Sequence, residues 1–410
     1  MNHWVIYLDN NSDKKGFLKD FENGRIPQEL QEFEYKIGRL FSPFTLEKLI
    51  DEEDKHDKKI ISTEHQALET MSSGEQKRVL LHYLLNEKPD YIILDNPFDN
   101  LDIDFQEELK TILKDHSQHI SFIQLASRKS DTLSFINCYG RLNKYMFTIT
   151  ENTPSSDNEI ASTFNAVRIP QSITTYTNIE STLIDFKDVS ISYGNKKILN
   201  AINWTVDKGD FWQLSGTNGS GKSTILSMIF GDNPKAFGQE IYLFGNKKGS
   251  GESVWDIKQK IGYYAPAMTL KFNGRHSIEH MLISGLNDSV GLYTIPTELQ
   301  KRIIKQWLLL LNMFPIKNTY FNALSTGQQR LVMTARAMVK RPPILILDEP
   351  TAGMDDESAA LLVSLVNKFA QETDTAIIFV SHRKEKGLKP ERILDLIPSE
   401  NGSSGIITYH

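Results

Sequence analysis

The sequence predicts an α/β protein of two tandem domains with mostly parallel sheets, of which the first is truncated and degenerate. Three features predict this class. Residues 216–224 form a glycine-rich phosphate-binding loop between a short apolar strand and a helix. Residues 343–347 form a continuous apolar run, which is typical of a parallel strand buried on both faces. The third feature is a repeat of the second half of the chain within its first half.

The composition is that of an ordinary globular protein. The 410 residues are 40% hydrophobic and 24% charged, and this length suits two or three domains. The net charge of −6 gives no reason to expect a nucleic-acid partner. The single cysteine, Cys138, excludes an internal disulfide and suits a reducing compartment. Because no apolar run approaches the roughly 18–20 residues of a membrane span and no signal-peptide pattern begins the chain, we expect a cytoplasmic protein that reaches the inner face of a membrane only through a partner.

The phosphate-binding loop fits the pattern G-x-x-x-x-G-K-[ST] without a mismatch. Its glycines permit positive φ, and the helix N-terminus behind it adds about half a positive charge. We expect Lys222 to reach the β- and γ-phosphates of a nucleotide and Ser223 to bind Mg²⁺. The alternative is a chance glycine-rich turn, which the flanking strand and helix disfavour. The predicted phosphate-binding residues are Gly216, Thr217, Asn218, Gly219, Ser220, Gly221, Lys222, Ser223 and Thr224.

The rest of the second half supplies strands and two acids. Residues 185–193 and 198–206 predict two strands ahead of the loop. Asp348 ends the later apolar run, at the strand end where an open α/β sheet presents its ligands. In the functional interpretation, Asp348 orients Mg²⁺ and Glu349 activates a water molecule. The alternative is a structural Asp-Glu-Pro turn, which the nearby phosphate loop disfavours.

A third segment carries a family resemblance. Residues 324–330 read Leu-Ser-Thr-Gly-Gln-Gln-Arg ahead of a helical pattern, and this segment resembles the signature of the ATP-binding cassette (ABC) ATPases. Residues 351–355 look like the D-loop of that family, and residues 377–382 look like its switch-histidine strand. The resemblance covers roughly residues 184–400. It implies P-loop NTPase domains with helical subdomains, with ATP and Mg²⁺ as ligands.

The resemblance also implies roles for single residues. Tyr193 would stack on adenine, and His382 would brace the γ-phosphate beside the catalytic Glu349 and Lys222. One departure is that Ala-Pro-Ala at residues 265–267 stands where the family usually places a glutamine that contacts Mg²⁺ and the attacking water.

Two further stretches resemble one subgroup of the ABC ATPases. Residues 230–234 and 244–258 look like the tandem cassette ATPases of molybdate operons, the ModF-like group, which are also labelled photorepair proteins. The alternative for the second stretch is a plain surface hairpin with a glycine turn.

The first half is predicted to be a decayed copy. Residues 71–78 echo the signature and residues 91–97 echo the acidic strand, with 21 residues from glycine to aspartate in both halves. A gapless alignment places residues 9–16 on the phosphate loop and Lys15 on the loop lysine. Every glycine of the cradle is lost and two aspartates enter, so we expect this half not to hold ATP.

In ABC ATPases the signature of one cassette closes the phosphate loop of the other. The resemblance therefore implies one composite ATP site, with Ser72, Ser73 and Gly74 closing on the γ-phosphate held by Lys222. The alternative is that the first half is a folded remnant with no role at the nucleotide. The predicted domains are residues 1–149 and 183–410, joined by a flexible polar linker at residues 150–182.

Two functions follow as expectations. The first is ATP hydrolysis at one site, which drives a conformational change in a partner such as a membrane permease, with a transport-associated role of the molybdate type. The second is an ATP-gated binding switch, or a nucleic-acid- or ribosome-acting cassette protein, with little hydrolysis. The polar, proline-containing linker and the loss of one site disfavour the ribosome-acting version.

Overall fold

The computed structural model describes most of the chain. The described residues are 1–56, 68, 71, 73–99, 101–151, 164, 167–177, 179–269, 272, 274–289, 291–383 and 385–409. They form two compact units. Unit 1 comprises residues 1–156 with the short segment 352–356, and unit 2 comprises residues 157–351 and 357–410.

Unit 1 is a single six-stranded sheet with helices. Its strand order is β2-β3-β4-β1-β5-β6, and every neighbouring pair is parallel except the β5–β6 hairpin. Its elements are β1 Trp4–Leu8, α1 Lys14–Glu22, β2 Gly38–Phe41, α2 Pro43–His56, α3 Ser73–Asn86, β3 Tyr91–Asp95, α4 Ile103–His116, β4 Ser121–Ala126, β5 Cys138–Asn143 and β6 Met146–Ile149.

Unit 2 has an equivalent six-stranded sheet and a second, antiparallel sheet. The elements are β7 Thr182–Tyr193, β8 Lys196–Asp207, β9 Phe211–Gly216, α5 Lys222–Ile229, β10 Glu240–Leu243, β11 Asn246–Lys247, α6 Val254–Gln259, β12 Ile261–Tyr264, α7 Pro266–Thr269, α8 Ile278–Leu286, α9 Glu298–Leu310, α10 Thr326–Met338, β13 Ile344–Asp348, α11 Asp356–Glu372, β14 Ala376–Val380, β15 Arg392–Ile397 and β16 Ser404–Tyr409. The main sheet has the order β12-β13-β14-β9-β15-β16, and the second has the order β11-β10-β7-β8.

The predicted fold class is confirmed by this architecture, and burial explains it. The apolar residues of β13 are fully buried between parallel neighbours on both sides, as their unbroken run predicts. Strand β7 alternates instead, because it belongs to the antiparallel sheet. The indoles of Trp204 on β8 and Trp212 on β9 pack edge to face at 5.7 Å, and this contact joins the two sheets of unit 2.

The shared strand order and register confirm the internal repeat. Asp95 ends β3 and Asp348 ends the equivalent strand β13. In unit 1 the strand pairing leads from β3 through β4 to β1, and in unit 2 it leads from β13 through β14 to β9, the strand before the phosphate loop. The paired residues are Asp95, Leu125 and Ile6 in unit 1, and Asp348, Val380 and Leu214 in unit 2. Ile6 is thus equivalent to Leu214, an offset of 208 positions.

This register corrects one sequence alignment. Lys14, and not Lys15, is equivalent to Lys222, since the same offset of 208 relates them and each is the first residue of its helix. The gapless alignment was wrong by one residue because two adjacent lysines fit either register. Pairing across the sheet, which the sequence does not contain, decides between them.

The predicted linker is partly bound to unit 2. Arg341 donates to the carbonyls of Ile169 and Pro170 at 2.6 and 2.9 Å, and the amide of Ile169 donates to Glu372 at 2.8 Å. Farther along, the Ser172 hydroxyl donates to the backbone carbonyl of Lys340, two residues after α10 ends. The expectation of a flexible chain therefore does not hold for this part, while residues 152–163 lie outside the described residues. Within the described ranges, we find no helix that is both long and apolar enough to cross a bilayer.

Candidate functional site

The loop of unit 2 has the backbone that phosphate binding requires. It links β9 to α5, and its glycines Gly216, Gly219 and Gly221 have φ of 142°, 78° and 98°. Positive φ at such positions is what allows a loop to turn its N–H groups toward an anion. Gly221 directly precedes α5 and carries no side chain that could cap it. The end of the helix therefore remains open to an anionic group.

Two glycines of the loop offer a matched prediction. A Cβ on Gly221 would lie 2.6 Å from Leu199 Cδ2 and 3.1 Å from Ile198 Cγ2, whereas a Cβ on Gly219 would meet nothing within 4 Å. Both positions have positive φ, so both substitutions strain the backbone, but only the first displaces the loop. We expect Gly221→Ala to weaken ATP binding at least about tenfold and Gly219→Ala less than about threefold, measured by calorimetric titration. Equal losses would show that contact with β8 does not shape the loop.

Lys222 lies under the loop with its charge held by carbonyl groups. Its Nζ donates to the carbonyl oxygens of Gly216 at 2.6 Å and Thr217 at 2.9 Å, and the residue is only 8% exposed. Ser223, the next residue, is exposed in the first turn of α5. The hydroxyl of Ser220 is buried and finds no hydrogen-bond partner among the described residues. The lysine and the two hydroxyls thus lie at the place where the sequence predicts phosphates and Mg²⁺.

Asp348 ends β13 and lies partly buried next to Glu349. Burial, together with the negative charge of Glu349, raises the pKa of Asp348. The hydroxyl of Tyr263 on β12 lies 3.5 Å from Asp348 Oδ2, and burial together with Asp348 raises the pKa of this tyrosine. Because burial and a neighbouring negative charge disfavour its ionised form, the carboxylate of Asp348 would be stabilised by a nearby cation.

Glu349 Oε1 lies against Nε2 of His382. The ring nitrogen Nδ1 of His382 lies 3.4 Å from the carbonyl oxygen of Gly216, which places the histidine beside the phosphate loop. Burial opposes the ionisation of Glu349, but the hydrogen bond from His382 and the charges of His382 and Lys222 outweigh it. The pKa of Glu349 therefore lies below its usual value. The arrangement provides an ionised carboxylate, which a general base requires.

The predicted Mg²⁺ ligands fit a nucleotide-bound ion. Mg²⁺ prefers a few protein oxygens completed by water and substrate phosphates, and Ser223 with Asp348 supplies such a donor pair. No group of three or more His, Cys, Asp or Glu side chains that could hold a metal by itself occurs among the residues described.

The remaining predicted site residues are placed as follows. Tyr193 ends β7 and is 46% exposed, and its hydroxyl accepts a hydrogen bond from Asn233 at 2.8 Å. Ser72 and the side chain of Ser73 lie outside the described residues. Gly74 is buried in the first turn of α3, where a Cβ would lie 2.9 Å from the ring of Phe105. The contact of these three residues with a nucleotide stays a prediction.

Comparison with known proteins agrees with this geometry. The family model described as ABC transporter matches residues 199–352. The chain is 31% identical to the ABC transporter ATP-binding protein ModF of Escherichia coli over 393 residues, which are 92% of this chain and 77% of ModF. The chain belongs to the ABC transporter ATP-binding protein family. An uncharacterized member from Schizosaccharomyces pombe is 30% identical over 78% of this chain and 66% of its own length.

Solved structures of two-cassette proteins share the fold. The structure titled RNase-L Inhibitor matches with a TM-score of 0.60 over 99% of this chain and 85% of its own, at 15% identity. An archaeal ribosome recycling factor matches with the same TM-score over 98% of this chain and 85% of its own, also at 15% identity. At this identity the matches show the fold alone. The protein is an ABC protein with two cassettes, one in each half.

The first cassette closes its own phosphate loop with a carboxylate. Asp13 occupies the position of Gly221, has φ of −83°, and accepts a hydrogen bond from the amide of Gly16 at 3.0 Å. Lys14, in the position of Lys222, forms an ion pair at 2.9 Å with Asp95, which is equivalent to Asp348. The helix N-terminus and the lysine, which would both face phosphates, are thus satisfied by side chains of the cassette itself.

Sequence reasoning found the loss of glycines but missed these substitutes. In the sequence, Asp13 is one of the two negative charges that enter the loop, whereas in the structure its carboxylate caps the helix. An aspartate three residues before an amide at a helix start is a capping signal that could have found it. The Lys14–Asp95 pair joins residues 81 positions apart and has no local signal. Both findings support the prediction that the first cassette does not hold ATP.

Proposed function

We propose that this protein hydrolyses ATP to ADP and phosphate at the site of the second cassette, and that the reaction drives a conformational change in a partner protein. The observation that carries the proposal is the contact of Glu349 with His382 beside the phosphate loop. A protein that only binds ATP needs the loop and its lysine. The ionised carboxylate of Glu349, which follows β13, is needed only for turnover.

In the proposed mechanism, Tyr193 stacks on adenine and the amides of residues 216–224 bind the phosphates. Lys222 exchanges its carbonyl partners for the β- and γ-phosphates. Ser223 and Asp348 would hold Mg²⁺, which neutralises charge on the phosphate oxygens when bound.

Glu349 takes a proton from a water molecule while the oxygen of that water bonds to the γ-phosphorus. The bond from that phosphorus to the bridging oxygen breaks, and ADP leaves with the electron pair. His382 holds Glu349 and faces the γ-phosphate. Most of the rate gain comes from positioning and charge stabilisation.

The partner is proposed from the relatives. The relatives are named as ATP-binding proteins of ABC transporters, which supports a membrane permease as the partner. A transport role of the molybdate type rests on the resemblance of residues 230–234 and 244–258 to the ModF-like group. The binding switch without hydrolysis remains the competing function, because residues 265–267 lack the glutamine of the family.

Steady-state phosphate release tests the function. We expect release that requires both ATP and Mg²⁺ and that stops when EDTA removes the metal. We also expect a titration to show one ATP bound per chain. Binding of ATP without release above the blank would support the binding switch, and two equivalent ATP molecules per chain would contradict the division between the cassettes.

A further inference from the structure

Thr351 and Glu385 form a buried hydrogen bond between two segments that each follow a predicted catalytic residue. Thr351 lies two residues after Glu349, and Glu385 lies three residues after His382. The Thr351 hydroxyl donates to Glu385 Oε1 at 2.6 Å, and the two residues are 2% and 7% exposed. The bond joins the backbone that follows the base to the backbone that follows the histidine.

Glu349 has a backbone conformation that its side chain disfavours. Its φ is 49°, in the left-handed region. A non-glycine residue keeps such a conformation only where the surrounding structure fixes it. The amide of Glu349 donates to the carbonyl of Val380 at 2.9 Å, which fixes the residue on its N-terminal side.

We propose that Thr351 and Glu385 are positioning residues that fix Glu349 on its C-terminal side and hold its carboxylate against His382. This inference rests on the proposed function. It assigns both residues to turnover, since ATP contacts the loop and the lysine whether or not Glu349 is well oriented.

The first cassette supplies an internal comparison. Asn96, equivalent to Glu349, has a similar φ of 43° and donates its amide to the carbonyl of Leu125 at 3.1 Å. Asparagine tolerates this region, and Asn96 Oδ1 accepts from the Ser127 amide at 3.0 Å, so that its side chain fixes the turn. The equivalents of Thr351 and Glu385 are Phe98 and Ser130.

The comparison shows that the turn folds without this hydrogen bond. Phe98, at the position equivalent to Thr351, is a buried apolar side chain, 1% exposed. Burying a carboxylate costs the free energy of its hydration, so a buried carboxylate by itself adds little to the stability of the fold. Glu385 occurs in the cassette that has Glu349 and His382, and its equivalent is replaced in the cassette that has neither.

The test compares two substitutions of Thr351. Valine has the same shape without the hydroxyl, whereas serine keeps the hydroxyl. We expect Thr351→Val to lower kcat at least about tenfold with KM changed less than about twofold, while Thr351→Ser keeps at least about half of kcat. In the Glu349→Gln background, Thr351→Val should change the residual rate less than about twofold, because residues that act through one another are not additive.

The outcomes separate the two proposals. Wild type no faster than Glu349→Gln would remove the proposed function, and this inference with it. A fast wild type with equal effects of valine and serine, or with an unchanged kcat in Thr351→Val, would overturn the inference alone. A full additional loss in the Glu349→Gln background would assign Thr351 to general stability and would also overturn it.

Discussion

Replacing Glu349 with glutamine is expected to slow steady-state phosphate release by about 10²–10⁴-fold, the usual contribution of a general base. Glutamine keeps the size of the side chain and one acceptor oxygen for His382, but it cannot take a proton from water. The loop and Lys222 are not altered. The affinity for ATP should therefore stay within about threefold of that of the wild type, as measured by titration of the same preparation.

A matched control is Glu400→Gln, the same substitution at an exposed position with no predicted role at the nucleotide. It should leave both phosphate release and ATP affinity unchanged. Equal release by the wild type and Glu349→Gln would contradict the role of Glu349 and leave the binding switch as the function. A loss of ATP affinity in parallel with the rate would instead show that Glu349 shapes the binding site.

Replacing Lys222 with alanine should abolish measurable ATP binding, because the loop loses the cation that faces the β- and γ-phosphates. The first cassette provides two matched variants, Lys14→Ala and Lys15→Ala. Lys14→Ala leaves Asp95, which is 7% exposed, without its ion-pair partner. It should lower the melting temperature by a few degrees without changing ATP affinity.

Lys15 is exposed in the first turn of α1, so Lys15→Ala should change neither quantity. The three variants therefore separate nucleotide binding, stability and a neutral position. Calorimetric titration and thermal unfolding measure the two responses. A loss of ATP binding in Lys14→Ala would contradict the conclusion that the first loop is closed by its own side chains. A loss of stability in Lys15→Ala alone would contradict the register that places Lys14 on Lys222.

The sequence predicted the elements around the second loop because each carries its own local signal. The glycines of residues 216–224, the unbroken apolar residues of β13 and the acids that end it are all short-range patterns. The equal spacing in both halves also predicted the repeat. The roles of the site residues stay predictions, since their geometry agrees with those roles but does not test them.

What the sequence could not show depends on pairing across the sheet or on backbone groups. The choice between Lys14 and Lys15 needs the pairing register of β1 with its neighbouring strand. The sequence alone fits two alignments that differ by one residue, and only the pairing distinguishes them. The attachment of Ile169 and Pro170 uses their carbonyl oxygens, which every residue type has. The sequence of a polar, proline-containing segment therefore does not indicate whether the segment is attached to a domain or free.

The carboxylate cap of the first loop has a consequence for how the two halves respond to the cell. Asp13 is tethered to the chain, whereas a γ-phosphate is cleaved and diffuses away. The first half therefore has a constant occupant at every ratio of ATP to ADP. Under the proposed function, only the site of the second half responds to the ratio of ATP to ADP, and each catalytic cycle consumes one ATP per chain.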